Sequence, residues 1–221
     1  MSKERPHGGK RKGAGRKKTG RCRDAPHRKR PSLSPRHPVH VSLRIRVRIS
    51  MRTRDFYDLF RRVMQRYLGR DDYRICHVSI QHSHLHLIVE ASDRRALSRG
   101  MQSFEIVCAH AYQRLSGSAG GMFAYRYNAK QITTKRYARH ALSYVLNNWR
   151  RHRVDYEDGV ESAWELDPFS SAVSFDGWTE RFRVPKNYTP LPVSPPRTSL
   201  LQFEWQEFGG ISPYETPGPL R

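Results

Sequence analysis

Two histidines separated by one leucine precede an apolar run in the segment SIQHSHLHLIVEA, residues 79–91. On a β-strand, side chains two residues apart project from the same face, so His84 and His86 would point together while Leu85 and Leu87 enter a core. Two imidazoles held this closely can share one divalent cation. The pair alone is a weak indication of metal binding, because two solvated histidines on one strand face are at least as common.

A second group that could do chemistry lies in the helical pattern of residues 134–153. Tyr144 and Asn148 are four residues apart, which places them on one helix face about one turn apart. If this helix crosses the histidine face of a sheet, a hydroxyl nucleophile and an amide oxygen approach the two imidazoles. The alternative is that Tyr144 is only a core aromatic of an amphipathic stripe, and the pattern by itself favours that alternative.

The elements that must position these residues follow from hydrophobic periodicity. Alternating apolar residues predict strands over 37–50, 73–81, 84–91 and 123–132, and helical spacing predicts helices over 55–68, 93–115 and 134–153. The resulting order, β-α-β-β-α-β-α, is the split-βαβ pattern of a ferredoxin-like fold. We therefore expect an α+β domain with an antiparallel sheet and the last helix packed across it.

The charge is distributed unevenly over three predicted parts of the 221-residue chain, whose net charge is +21. Residues 1–36 are rich in Lys, Arg, Gly and Pro and are predicted to be a disordered, basic DNA-binding arm. Residues 37–153 form the predicted folded domain, which is also basic. Residues 154–221 are mildly acidic and proline-rich, and we expect an irregular extension on the domain surface rather than a second core.

This composition favours some partners and compartments over others. Strong positive charge indicates a polyanionic partner, and nucleic acid is the commonest one. No apolar run approaches the roughly 20 residues that span a bilayer, so no membrane partner is expected. The basic N-terminus has no apolar stretch behind it, and the three cysteines are widely spaced. These features predict a cytoplasmic, nucleoid-associated protein.

Several motifs together resemble one known family. VSIQHSHLHLIVEA followed by ALSYVLNN is similar to the single-tyrosine HUH transposases, in which U is a hydrophobic residue between two histidines. Within that group the chain most resembles the insertion-sequence-200-like, REP-associated tyrosine transposases of bacteria. The resemblance spans residues 37–153, with HPVHVSLRIR and FAYRYNAK in the expected order. It implies that Tyr144 is the nucleophile and that His84, His86 and Asn148 bind Mg²⁺ or Mn²⁺.

The resemblance also implies a reaction and a substrate. The enzyme would cleave and rejoin single-stranded, hairpin-containing DNA through a covalent 5′-phosphotyrosine, as a step of DNA transposition. The predicted contacts to the DNA backbone are basic side chains: Arg44, Arg46, Arg48, Arg126, Lys130, Lys135, Arg136 and Arg139. Tyr125 and Tyr127 could stack on bases, although packing in the core or at the sheet edge is the more common role for either one.

Two other functions remain open at this stage, as does the oligomeric state. The same fold could belong to a catalytically inactive, domesticated protein that binds DNA or RNA. A histidine–metal hydrolase would need a carboxylate base, for which Glu90 is the nearest candidate on the same strand face. The sequence does not distinguish a monomer from a homodimer that exchanges the tyrosine helix.

Overall fold

The computed structural model describes residues 32–46, 50–117, 121–153 and 164–220. The main elements are β1 (Val39–Arg44), α1 (Arg54–Gln65), β2 (Tyr73–Ile80), β3 (His84–Ala91), α2 (Arg94–Ser116), β4 (Asn128–Gln131), α3 (Lys135–Leu146) and α4 (Asn148–Arg151). A short 3₁₀ helix (Ala172–Ser174), α5 (Ser199–Gln202) and a second 3₁₀ helix (Glu204–Phe208) follow. Most of the predicted N-terminal arm (residues 1–31) and Arg48 lie outside the described residues.

The four strands form one antiparallel sheet in the order β2-β3-β1-β4. This order, with α1 and α2 connecting the strands, confirms the ferredoxin-like α+β fold that the element order predicted. Side-chain alternation sends Val39, Val41 and Leu43 into the core shared with Phe60 and Phe104. The opposite face of the sheet therefore carries the polar residues of β1 and the histidines of β3.

Each long helix begins at a side-chain cap. Thr53, Asp93 and Thr134 are in extended conformation, and each side chain accepts a hydrogen bond from the backbone N–H three residues later. Such caps satisfy backbone donors that the first helical turn leaves unpaired. Helix α2 ends at Gly117, whose φ of 65° is the left-handed conformation that glycine adopts without steric cost.

The fourth strand is shorter than predicted. Pairing with β1 aligns Ser42 with Asn128, whereas an isolated bridge just beyond the end of β1 joins Ile45 to Phe123. Ser42 and Ile45 are three residues apart, whereas their partners Asn128 and Phe123 are five residues apart. The segment before β4 therefore has two extra residues, which bulge from the ladder. The prediction of a continuous strand over 123–132 is wrong for this reason, because periodicity does not reveal an insertion of this kind.

The last predicted helix is interrupted. Helix α3 ends at Leu146 and α4 begins at Asn148, with Asn147 at φ −107° and ψ 17° between them. The Asn147 side chain donates a hydrogen bond to the carbonyl of Ser212 at 2.9 Å. Asparagine competes readily with helical backbone bonds, so the predicted single helix over 134–153 is wrong at this residue.

The C-terminal extension supplies part of a second core. Leu142 and Val145 of α3 and Ile88 of β3 pack in one buried cluster with Trp205 and Ile211 of the extension. We expected these C-terminal residues to lie on the domain surface, but the buried side chains of α3 pack against them as well as against the sheet. The extension therefore stabilises the helix that carries Tyr144.

The extension also covers the exposed edge of the sheet. Backbone hydrogen bonds join Ile80 N–H to the Phe169 carbonyl (2.8 Å), Ser171 N–H to the Val78 carbonyl (2.8 Å) and Ser194 N–H to the Ile75 carbonyl (2.9 Å). Strand β2 is an edge strand, and an uncovered edge invites pairing with other chains. These bonds hold β2 in place beside the histidine strand.

Replacing Gly100 with alanine is expected to destabilise the fold. A Cβ at Gly100 would overlap the ring of Tyr73, which is completely buried against α2. Overpacking of this kind costs about 1–3 kcal/mol, more than the roughly 1 kcal/mol that alanine gains in helix propensity. Urea unfolding measures the difference. Gly121→Ala is the control, because its Cβ meets no atom closer than 4.0 Å; equal stabilities of the two variants would contradict the prediction.

Candidate active site

The two histidines of β3 lie side by side on the sheet face that α3 crosses. The ring centroids of His84 and His86 are 4.8 Å apart with an interplanar angle of 87°. His84 is half-buried and His86 is 6% exposed. The Nε2 atom of His86 is buried and has no hydrogen-bond partner among the residues that the structure describes. This imidazole nitrogen is therefore available to a ligand.

Helix α3 brings Tyr144 against these imidazoles. The ring centroid of Tyr144 lies 5.1 Å from that of His86, in an edge contact of 87°. Tyr144 is only partly buried and lies at the border of the second core. On the other side, the Arg151 guanidinium carbon is 6.0 Å from the centre of the Tyr144 ring. The tyrosine and the histidines, which are about 60 residues apart in sequence, thus meet in the fold.

Asn148 begins α4, one turn after Tyr144, and is completely buried. Within the described part of the chain, neither its Oδ1 nor its Nδ2 has a hydrogen-bond partner. A buried amide without partners costs about 1–3 kcal/mol for each unmet group. Such an amide has polar atoms that a bound ligand would satisfy, which suits the role of a metal ligand.

Sequence reasoning did not single out His40, a residue of β1. The Nε2 atom of His40 is 3.1 Å from Nδ1 of His86, and the two rings stack at 5.2 Å and 17°. The His40 ring also meets the Tyr144 ring at 6.0 Å and 81°. The only available signal was the position of His40 on the same strand face as Arg44, since the register between β1 and β3 cannot be read from the sequence.

His152 is a second neighbour that the sequence did not single out. Its ring centroid lies 5.6 Å from that of His84, just beyond the end of α4. It is exposed to solvent. The part of its ring that is covered by protein and, after it, the charge of Arg151 lower the pKa of His152. His152 therefore borders the site on its open side.

The three innermost imidazoles are neutral at pH 7. Burial lowers the pKa of His40 to about 4, with a smaller contribution from the charge of Lys130. Burial lowers the pKa of His84 to about 4 and that of His86 well below its usual value, and neighbouring imidazoles add to both effects. A neutral imidazole has a lone pair for a metal ion, whereas an imidazolium has none.

The side chains at this site could hold a divalent cation only through a mixture of imidazole nitrogen and oxygen ligands. Within residues 32–46, 50–117, 121–153 and 164–220, no three His, Cys, Asp or Glu side chains are arranged to hold a metal. A cation bound by His84 and His86 would therefore need an amide, water or substrate oxygen as well. The buried, unpartnered Oδ1 of Asn148 fits that requirement.

Glu90 has a structural role that removes it as a general base. It is 1% exposed and lies 2.7 Å from the Arg74 guanidinium. It also accepts hydrogen bonds from the backbone N–H groups of Arg197 and Thr198 and from the Thr198 hydroxyl. Burial would raise the pKa of Glu90, but these hydrogen bonds outweigh it and lower the pKa. Glu90 thus anchors the extension, which weighs against a histidine–metal hydrolase.

The predicted DNA-contacting residues differ in availability. Five of them are exposed: Arg44, Arg46, Arg126, Lys130 and Arg136. Lys135 pairs with Glu207 at 2.5 Å, and Arg139 pairs with Glu215 at 2.7 Å. These two charges are partly neutralised by the extension and would contribute less to a DNA interface than the exposed five.

The two tyrosines proposed for base stacking also differ. Tyr125 is 55% exposed, in the bulged segment before β4. Tyr127 is 7% exposed and belongs to the core on the α1–α2 side. The stacking role is therefore wrong for Tyr127, whose ring is already enclosed by protein, and Tyr125 alone of the pair can meet a base.

Comparison with known proteins supports the same interpretation. A family model described as "Transposase IS200 like" matches residues 34–148, just over half of the chain. A solved structure of a REP-associated tyrosine transposase bound to a REP hairpin is similar, with a TM-score of 0.50 and 18% sequence identity. The match covers 66% of this chain and 82% of that one, and at this identity it shows a shared fold. No curated protein matches.

No helix in the described ranges is long and apolar enough to cross a membrane. The fold agrees with that of a hairpin-bound transposase, and the family match spans β1 to the start of α4, including both histidines and Tyr144. The family resemblance noted in the motifs is thereby confirmed, and with it a DNA-binding, transposase-type function. The protein belongs to the IS200-like transposase family.

Proposed function

We propose that this transposase cleaves and rejoins single-stranded DNA next to hairpins, with Tyr144 as the nucleophile and a divalent metal ion held by His84, His86 and Asn148. The observation that carries the proposal is the contact between Tyr144 and His86 at 5.1 Å, on the side of the sheet where His86 Nε2 lacks a partner in the described structure. A nucleophile next to a side chain that can bind a metal ion is an arrangement that favours attack on a phosphate.

Tyr144 needs help to attack at neutral pH. A phenol has a pKa near 10, so only about one molecule in a thousand is ionised at pH 7. When bound, Mg²⁺ or Mn²⁺ would polarise the scissile phosphate and offset the charge that develops on its oxygens. Neutral imidazole and amide ligands leave the charge of the cation uncancelled.

The reaction is a transesterification, in which one phosphoester bond forms as another breaks. The Tyr144 hydroxyl loses its proton as its oxygen attacks phosphorus, the bond from phosphorus to the 3′ oxygen breaks, and that oxygen takes up a proton and leaves as a 3′-hydroxyl. The DNA remains attached through a 5′-phosphotyrosyl bond. A 3′-hydroxyl of another strand can reverse the step, so rejoining needs no external energy source.

The basic surface near the site suits a DNA backbone. Arg44 pairs with His84 in the register of β1 and β3, so its exposed charge lies beside the proposed metal ligands. Arg126 and Tyr125 lie on the exposed bulge before β4, where a cation and an aromatic ring can contact phosphate and base. The hairpin in the similar solved structure supports a hairpin as the substrate here.

Formation of a covalent adduct tests this proposal. Wild-type protein mixed with labelled hairpin DNA and Mn²⁺ is expected to give a slower-migrating, denaturant-resistant band. Chelation, or His86→Ala, is expected to slow its formation at least about 100-fold, since metal polarisation is worth several kcal/mol. His110→Ala, an exposed histidine of α2, is the matched control. A wild-type protein that binds the hairpin but forms no adduct would identify an inactive, DNA-binding relative instead.

A further inference from the structure

We propose that His40 is a positioning residue that accepts a hydrogen bond from Nδ1–H of His86 and thereby directs the lone pair of His86 Nε2 into the site. This inference rests on the proposed function, because it concerns how a metal ligand is prepared. His40 lies on β1, a strand outside the histidine motif, and its contacts alone single it out.

The distance between the two rings permits one shared proton. His40 Nε2 and His86 Nδ1 are 3.1 Å apart, so one of the two nitrogens donates and the other accepts. If His40 donated, the proton of a neutral His86 would sit on Nε2, and that nitrogen could not bind a metal. If His86 donates, its Nε2 carries a lone pair toward the ligand position.

The surroundings of His86 favour the second arrangement. Its Nε2 is buried and meets no acceptor in the described residues, so a proton there would be an unsatisfied donor. Metal-binding histidines generally donate their other N–H to a neighbouring acceptor, which fixes the tautomer and the ring orientation. In this protein the acceptor would be another imidazole rather than a carboxylate or a carbonyl.

His40 is itself held firmly. Strand β1 lies inside the sheet, and His40 is aligned with Ile88 of β3 on one side and Lys130 of β4 on the other. The His40 ring stacks on His86 at 17° and meets the edge of Tyr144 at 81°. One side chain therefore contacts both a proposed ligand and the proposed nucleophile, and it can set their relative orientation.

Two substitutions separate the hydrogen bond from the packing. His40→Phe keeps an aromatic ring against His86 and Tyr144 but cannot accept a hydrogen bond. His40→Gln offers an amide oxygen near the position of Nε2. The inference predicts that His40→Phe weakens Mn²⁺ binding about 10–100-fold, as loss of such an outer partner usually does, and that His40→Gln recovers most of that loss. His110→Phe serves as the matched control.

The tautomer of His86 is measured independently of metal and of activity. Long-range ¹H–¹⁵N NMR on the metal-free wild-type protein should show the proton of His86 on Nδ1, and His40→Phe should shift it toward Nε2. A wild-type proton on Nε2 would overturn the inference. So would Mn²⁺ affinity of His40→Phe within twofold of wild type.

The outcomes distinguish this inference from the proposed function. If wild type binds Mn²⁺, loses it with His86→Ala and keeps it with His40→Phe, the positioning role is wrong and the proposed function stands. If wild type neither binds Mn²⁺ nor forms the adduct, both are wrong.

Discussion

Replacing Tyr144 with phenylalanine is expected to abolish the covalent DNA adduct while leaving hairpin affinity and Mn²⁺ affinity close to those of wild type. The substitution removes one oxygen and keeps the ring that contacts His86 and His40 at 5.1 and 6.0 Å. Loss of a nucleophile from other enzymes slows the reaction by about 10⁶-fold. We therefore expect single-turnover adduct formation to fall by at least about 10⁴-fold.

The control for this variant is a tyrosine on the same helix. Tyr137 is half-buried two turns before Tyr144 and lies under the ammonium group of Lys130 at 4.9 Å. Tyr137→Phe should form the adduct at the wild-type rate. An unchanged rate in Tyr144→Phe, or loss of the adduct in Tyr137→Phe alone, would show that the nucleophile is assigned to the wrong residue.

Replacing Asp167 with alanine is expected to cost about 3–5 kcal/mol of folding free energy. Asp167 pairs with Arg52 at 3.0 Å, and their side chains are 0% and 2% exposed. The Arg52 guanidinium also donates to the Ile80 carbonyl and lies 4.6 Å from the centre of the Phe169 ring. Removing one member of a buried pair leaves the other charge desolvated and uncompensated, which accounts for the large cost.

Urea unfolding of matched variants measures this effect. Asp58→Ala breaks an exposed pair with Arg54 and should cost less than about 1 kcal/mol. A double variant, Arg52→Met with Asp167→Leu, should recover most of the loss, since apolar side chains can replace a buried pair. A loss below about 1 kcal/mol in Asp167→Ala would contradict the prediction.

The ion pair also connects the extension to the site. The carboxylate of Asp167 accepts a hydrogen bond from Phe169 N–H at 2.9 Å, and the Phe169 carbonyl in turn accepts from Ile80 at the end of β2. Strand β2 pairs with β3 through Ile80 opposite Leu85, and the pair before it joins Ser79 to His86. We therefore expect the loss of Asp167 to loosen the strand that supports this histidine.

Local patterns were sufficient to predict the features of the site that depend on side-chain periodicity within one strand or one helix. The two-residue period of a strand placed His84 and His86 on one face, and helical spacing placed Tyr144 in a stripe that packs over it. These relations hold within a single element, so they survive without knowledge of the fold. The split-βαβ order predicted that the last helix packs across the sheet, but it did not predict which face the helix crosses.

Features that depend on pairing between distant segments were not predictable. His40 meets His86 only because of the register between β1 and β3, which no local pattern encodes. The interruption at Asn147 depends on a carbonyl 65 residues away, that of Ser212. The role of Trp205 in the core follows from the fold of the extension.

The attachment point of the DNA tests the central claim most directly. After reaction with hairpin DNA and Mn²⁺, nuclease and trypsin digestion would leave a nucleotide remnant on one peptide for mass spectrometry. The peptide HALSYVLNNWR, residues 140–150, contains Tyr144 as its sole tyrosine. We predict that the remnant is on Tyr144 of this peptide. A remnant on any other residue, or an adduct that forms equally well in Tyr144→Phe, would contradict the proposed mechanism.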